Sequence, residues 1–437
     1  MPLPSLRRTT TLLQEFSIPL IGGVFVALLA ANLAPEWYHE VIHGKPLGDW
    51  SIFGHEVTTH FLINDVFMVF FFGIAAKEIT EACLPGGDLN PIHKALNPLL
   101  STFGGVAGPV GVFFIGLHIC YALGIYGPET HGTGLERGWG IPTATDIALA
   151  WLVARAVFRT GHPAINFLLL LAVADDAIGL AIIAIFYGDP HNPAQPIFLL
   201  LVLAGMVVAL GLRLLKVKRW PLYIFTAGPL AWTGLMLAHL HPALALVFIV
   251  PFLPAPAHDT GLFVEEDEVD KAGTNQAAAQ HMHHSPLHQF EHHLKLPVDL
   301  GLFFFAFGNA GVALTGIGPM TWLIFSSLVI GKTVGIVTLG SIARKLGFPL
   351  PTGMSGKELI MAGFVAALGL TVALFVAGAA FTTGPLQGEA KMGALFSGFV
   401  GVAAILVARA VGIGKRDDAV RQDAVGGAQK TEAALEG

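Results

Sequence analysis

Four ionisable side chains stand where apolar neighbours make charge expensive: Asp146 in TATDIALA, Asp175 and Asp176 in LAVADDAIG, and Lys332 in VIGKTVGI. An unpaired charge in hydrocarbon costs several kcal/mol. Lys332 lies too far from either end of its apolar run to reach an interface, so it calls for a carboxylate partner. Adjacent aspartates project about 100° apart on a helix, so Asp175 and Asp176 meet different surroundings, one a water-filled cavity and the other a neighbouring helix. Burial and like charge favour the protonated carboxyl, whereas a lysine or a bound cation favours the carboxylate. Protons and a hard cation such as Na⁺ or Li⁺ then compete for the same oxygens. Exposed alternately to the two sides of a membrane, such a site is an exchanger. A helix-packing ion pair is the alternative for any one of these charges, and four together weaken it.

The elements that must position these residues are membrane spans. Of 437 residues, 54% are hydrophobic and 12% charged, far from the quarter or so of charged residues usual in soluble domains. Twelve apolar segments are expected, at 16–34, 59–82, 97–124, 139–158, 163–187, 196–214, 221–238, 240–256, 296–316, 320–343, 358–383 and 392–413, each long enough for about 30 Å of hydrocarbon. The first is longer than a signal-peptide core and is followed by Trp37 and Tyr38, so it reads as a retained helix. The fold class is an all-α polytopic membrane protein. Arg7 and Arg8 place the N-terminus inside, and the inner loops then hold Lys94, Arg155, Arg159, Arg213, Lys216, Lys218, Arg219, Lys295, Arg344, Lys345 and Lys357. The outer loops hold Lys45, Arg137 and Lys391. Both termini, residues 1–15 and 414–437, are thus expected in the cytoplasm, the second as a disordered tail. Residues 16–256 and 296–413 are the membrane-spanning parts, separated by a cytoplasmic loop at 257–295.

Helix breakers indicate where a cation site can assemble. In the fourth segment, Gly140-Ile141-Pro142-Thr143-Ala144-Thr145 precedes Asp146, and an unwound stretch there exposes carbonyls, hydroxyls and helix ends. Gly363, Gly369 and Thr371 interrupt the eleventh segment. Two broken helices in separate halves of a chain are the sign of an inverted-repeat transporter. Gly104, Gly105 and Gly108 in the third segment read instead as close helix packing.

The loop at 257–295 carries Glu265, Glu266, Asp267 and Glu268, then His281, His283, His284, His288, His292 and His293. It reads as a solvated loop, a pH-responsive element or a metal site. Ser285-Pro286 resembles an N-cap that opens a short helix with His288 and His292 on one face. Cys83 and Cys120 sit in apolar runs and provide no disulfide framework. A formal charge of −6 gives no reason to expect nucleic acid.

Six blocks together resemble the NhaA-type sodium/proton antiporters: INDVFMVFFF from Ile63, GWGIPTATDIALA from Gly138, LAVADDAIG from Leu171, FAFGNAGV from Phe305, VIGKTVGI from Val329 and ALGLTVALFVA from Ala367. The resemblance runs from about Gly22 to Phe381. It implies twelve spans with inverted repeats, the fourth and eleventh helices broken and crossing near the midplane, a homodimer, and a bacterial inner membrane. It also implies Na⁺, Li⁺ and H⁺ as substrates, with no cofactor and no enzymatic activity.

By that resemblance Asp176 is the principal Na⁺ ligand, Asp175 its partner linked to Lys332, and Thr145 with Asp146 the polar pair of the broken fourth helix, the aspartate offsetting helix dipoles. Glu78, the pair Glu291 and His292, and His241 match pH-sensing positions, which implies activation by alkaline cytoplasm. The double aspartate with the lysine resembles the electrogenic branch. The chain departs from the family where Lys77 precedes Glu78, with Thr80 and Glu81 after it, and where Thr333 follows Lys332 in place of proline. The acidic, histidine-rich loop is also longer than usual, and Glu36 to Trp50 corresponds to the hairpin that joins family dimers. Two other classes fit buried aspartates: a sodium-coupled symporter of organic anions on a related core, and an intramembrane aspartyl protease, whose Gly-x-Gly-Asp element is missing from the sequence.

Overall fold

The computed structural model describes residues 17–85, 87, 89, 92–127, 130, 134–159, 161–188, 193–255, 285–381 and 384–413. The expected N-terminal segment, most of the acidic and histidine-rich loop, and the expected tail lie outside the described residues.

Apolar runs become helices here because each helix satisfies its own backbone hydrogen bonds, the only economical arrangement in hydrocarbon. In chain order they are α1 (Ile18–Leu33), α2 (Pro35–His43), α3 (Thr59–Ala82), α4 (Ile92–Ala122), α5 (Ile147–Phe158), α6 (Pro163–Phe186), α7 (Leu199–Leu214), α8 (Gly228–Leu237), α9 (Pro286–Asn309), α10 (Pro319–Lys345), α11 (Gly356–Val365), α12 (Leu370–Ala380) and α13 (Pro385–Val411). A two-residue-per-strand hairpin, Ser51–Ile52 against His55–Glu56, follows α2. Among the described residues six helices are long and apolar enough to cross a membrane, and eight if each of two bent pairs counts as one span. Those pairs are the 3-10 segment Leu135–Thr143 with α5, bent by 47°, and α11 with α12, bent by 48°. They fall on the fourth and eleventh segments, where the breakers are.

Many large apolar side chains face outward, among them Phe25, Leu33, Ile185, Leu214 and Phe399. Around a packed interior that distribution suits a hydrocarbon solvent.

Three local expectations need correction. The helix opening at Ser285-Pro286 is not short: Ser285 caps it, accepting from the His288 amide at 3.3 Å, but it continues through Pro297 to Asn309 as α9. The eighth segment is no regular α-helix: it forms 3-10 turns at Pro242–Phe248 and Val250–Phe252, and Pro251 removes an amide donor within it. Gly363 lies inside α11, away from its break, and lets α11 approach the Thr333 backbone of α10.

The glycines of α4 act as their spacing suggests. A Cβ on Gly104 or Gly108 would collide with the carbonyl of Gly335 or Gly331, and the reverse holds for Gly331 and Gly335. Two backbones thus meet with no side chain between them. That approach fixes Lys332, whose Cε passes 3.9 Å from where a Cβ on Gly105 would be.

Candidate functional site

The unwinding in the fourth segment begins just after Pro142. The chain holds a 3-10 helix through Thr143, turns extended at Ala144, and restarts as α5 with Asp146 as its N-cap. In the eleventh segment α11 ends at Val365, and α12 restarts at Leu370. The two breaks meet. The Asp146 amide donates to the Leu368 carbonyl at 2.6 Å, and the Thr145 hydroxyl lies 2.9 Å from the Ala366 carbonyl.

Asp146 caps two helices at once. One carboxylate oxygen accepts from the Leu149 amide of α5 at 3.0 Å, the other from the Thr371 amide of α12 at 3.2 Å. Both helix N-termini carry partial positive charge, so one buried carboxylate stabilises the two ends together. The opposite polarity is met by Lys332, whose ammonium donates to the Thr143 carbonyl at the C-terminal end of the 3-10 segment. The hydroxyl of Thr143, expected among the cation ligands, donates its hydrogen to the Gly140 carbonyl at 2.7 Å.

Lys332 finds the carboxylate its burial demands. Its Nζ lies 2.6 Å from Asp175 Oδ2, and both side chains are fully buried. A π-turn at Ser327–Lys332 brings the lysine to this point on α10. Thr145 Oγ1 is 2.8 Å from the same Asp175 oxygen, so its single hydrogen goes either there or to Ala366. Asp176, one residue on, stays out of the pair. Its Oδ1 is buried without a hydrogen bond, and so is Oδ1 of Asp175. Asp176 interacts electrostatically with Asp175, Asp146, Glu78 and Lys332. Three carboxylates and one lysine leave negative charge and unused oxygens in one place, which is what a hard cation or protons require.

The expected pH-sensing residues lie in three places. Glu78 on α3 is within electrostatic reach of both Asp176 and Glu291. Glu291 on α9 is joined to Lys77 through Oε2 and lies 3.6 Å from Lys295, while Lys77 also holds Glu81 at 2.6 Å. Burial works against the Glu291 carboxylate, but Lys77 and Lys295 outweigh it and hold its pKa below the usual glutamate value. Lys77 thus supplies the cation on the N-terminal side of Glu78. His292 is exposed beside His288, with ring centroids 6.4 Å apart. Among the described residues no group of three or more His, Cys, Asp or Glu is placed to hold a metal; His281, His283 and His284 lie outside the described residues. His241 is remote from these, at the N-terminus of the 3-10 turn Pro242–Phe248, with Nδ1 3.7 Å from Asp65. Sequence reasoning missed the Thr371 amide and the Ala366 and Leu368 carbonyls, since only a break that folds onto a second break brings backbone groups to a side chain over 220 residues away. It also passed over Asp65, although Asp65 stands in the first of the quoted blocks.

Comparison with known proteins places the chain. A sequence profile of the family described as Na⁺/H⁺ antiporter 1 matches residues 10–409. A Geobacter sulfurreducens protein named Na⁺/H⁺ antiporter NhaA is 57% identical over 409 residues, covering 93% of this chain and 99% of the relative. A protein of the same name from Geobacter metallireducens is 54% identical over 405 residues, 92% and 98% of the two chains. One from Jannaschia is 41% identical over 445 residues, 94% and 99% of the two. With a family profile across nearly the whole length and full-length relatives above half identity, the chain belongs to the Na⁺/H⁺ antiporter 1 family.

Proposed function

We propose that this chain is a Na⁺/H⁺ exchanger whose cargo site is Asp176, aided by Asp175, and that Na⁺ and protons occupy the same oxygens in turn. The observation that carries this reading is the pair of buried, unpartnered oxygens, Asp175 Oδ1 and Asp176 Oδ1, beside a lysine that engages only one of the two aspartates. Protonated, the pair needs no further cation. Deprotonated, it carries one more negative charge than Lys332 offsets, and Na⁺ supplies the balance. Because Lys332 and Thr145 both reach Asp175 Oδ2, a cation arriving at the aspartates competes with these donors, coupling its entry to rearrangement of α10 and the break.

The finer reading comprises twelve spans with the broken helices crossing, both termini and the 257–295 loop in the cytoplasm, a bacterial inner membrane, and a homodimer. Li⁺ is accepted beside Na⁺, and transport is electrogenic, with more protons than Na⁺ per cycle. The basic residues of the expected inner loops support the orientation. Alkaline activation runs through Glu78, which links the Lys77 and Glu291 network to Asp176 electrostatically. Glu291 itself stays ionised through the neutral range, so it positions Lys77 for that response.

The test uses everted membrane vesicles holding a pre-formed pH gradient. Added Na⁺ or Li⁺ dissipates the gradient in alkaline buffer, and Asp176→Asn reduces the response to that of vesicles without the protein. Wild-type vesicles that hold their gradient when Na⁺ is added contradict exchange.

A further inference from the structure

At the other end of α3 from Glu78, some 13 residues and therefore about 20 Å away, lies a cavity of about 270 Å³ lined by His60, Asn64, Asp65, His241, Asn309 and Phe375. Phe375 of α12 stands about one turn along from Thr371, the residue whose amide donates to Asp146, so the cavity and the cargo site meet the same helix. On the proposed orientation it opens outward.

Three of its side chains form a chain of hydrogen bonds with determinate polarity. The Asn309 amide nitrogen donates to Asn64 Oδ1 at 2.9 Å and to the Phe305 carbonyl at 3.0 Å, which uses both of its hydrogens. Asn64 Oδ1 is thereby an acceptor, and the amide nitrogen of Asn64 faces His60 Nε2 at 2.9 Å. An amide nitrogen has no lone pair to offer, so the ring nitrogen accepts. His60 is therefore neutral, with its hydrogen on Nδ1. Asn309 is buried yet lines the cavity, and with both hydrogens committed it keeps its carbonyl oxygen, which lies 3.8 Å from where a Cβ on the cavity-lining Gly378 would be.

We propose that His60, Asn64 and Asn309 are a proton-operated relay that presents an amide oxygen to Na⁺ in this cavity when His60 is neutral and withdraws it when His60 is protonated. A proton on Nε2 makes that nitrogen a donor facing a donor. Asn64 relieves the clash by turning its oxygen to His60, which sets its NH₂ against that of Asn309. Asn309 turns in response and shows the cavity its NH₂, repelling a cation beside Asp65. Two amide flips carry the change: no covalent bond breaks and the proton remains on the imidazole, while Asn309 gives up its hydrogen bond to the Phe305 carbonyl. The groups facing His60 are His43 of α2, stacked at 6.2 Å with His39 behind it at 4.4 Å, Lys391 of α13, His241 of the 3-10 turn, and Asp65 on its own helix. His55 and His239 line the same space. Together these charges set the pH at which the relay turns over. In its consequence for transport the inference rests on the exchange reading, since it assigns His60 and Asn64 as positioning residues for Na⁺ at the cavity face.

The test measures the KM for Na⁺ against pH in right-side-out and everted vesicles, which offer Na⁺ to the two faces. A one-proton relay adds about tenfold to KM for each pH unit below its midpoint. His60→Gln, a non-titrating acceptor, is expected to reduce the slope of log KM against pH by about one in right-side-out vesicles and to leave the everted slope unchanged. Equal slopes for wild type and variant at the cavity face overturn the relay. Solid-state ¹⁵N NMR of histidine- and asparagine-labelled wild type in lipid decides the polarity independently of transport. The ring nitrogen within hydrogen-bond range of an asparagine amide is expected to be unprotonated at alkaline pH, and a protonated nitrogen there overturns the proposal. Wild-type vesicles without any Na⁺-driven proton movement refute the exchange reading instead, and the NMR result still decides the relay.

Discussion

Among the described residues two lysine and carboxylate assemblies centre on a buried lysine, Lys77 in one and Lys332 in the other, and they differ in how completely their charges are spent. In the assembly of Lys77, Glu81, Glu291 and Lys295, each glutamate has a lysine, and Lys77 serves two carboxylates at once. In the other, Lys332 serves Asp175 alone, while Asp176 beside it keeps a buried oxygen without a partner. A satisfied network holds helices together, here α3 against α9. An unsatisfied one binds something. The same residue types therefore form a clamp in one place and the proposed cargo site in the other, according to the oxygens left over.

Substitutions sharpen this contrast. The largest stability effect is expected from Lys332→Ala, which strands Asp175 in the interior and costs about 3 to 5 kcal/mol. Thermal unfolding of detergent-solubilised protein equal to wild type contradicts the pairing. Next is Asp146→Ala, which uncaps α5 and α12 together and is expected to cost about 2 to 3 kcal/mol, roughly two ordinary caps. A loss no greater than one cap gives implies that the Thr371 contact contributes nothing.

The clamp is expected to be weaker. Glu291→Gln removes one charged partner of Lys77, which keeps Glu81, so the cost is about 1 to 2 kcal/mol. Its pH dependence has a definite sign. Glu291 is held below its ordinary value of 4.5, so it binds fewer protons folded than unfolded. Its stabilisation is complete above that value and fades as pH falls through the depressed one. The difference in unfolding midpoint between wild type and Glu291→Gln is expected to be constant from pH 8 down to about pH 5 and to shrink in stronger acid. A difference that shrinks already between pH 8 and 6 identifies Glu291 as the titrating sensor and removes its role as a clamp.

Smallest is Thr145→Val. It removes a hydroxyl shared between Asp175 and Ala366, and about 1 kcal/mol is expected, with a measurable change in the pH at which Na⁺ dissipates the vesicle gradient. An unchanged profile means that the hydroxyl donates to Ala366 alone.

The buried residues of the proposed site were legible in the linear chain because hydrocarbon makes them conspicuous: Asp146, Asp175, Asp176 and Lys332 interrupt apolar runs. So were the two broken segments, through Pro142 and Gly369, and the close α4 contact, through Gly104 and Gly108. Legibility ended where local composition stops predicting local conformation. Pro286 signalled a start to α9, but nothing nearby showed that the helix runs through Pro297, since a proline is tolerated in a membrane helix when neighbours satisfy the freed carbonyl.

Composition and spacing thus determined that charges must be buried, that Lys332 needs an acid, and that two helices must break, all consequences of the cost of polar groups in an apolar solvent. Tertiary structure alone decided that Asp146 caps two helices and that Asn309 commits both amide hydrogens beside a cavity, and it gave Lys332 the Asp175 partner that the resemblance implied. These are choices among hydrogen-bond partners far apart in sequence. A donor or acceptor states only that a partner is required, and the packing of the helices supplies the one within 3 Å.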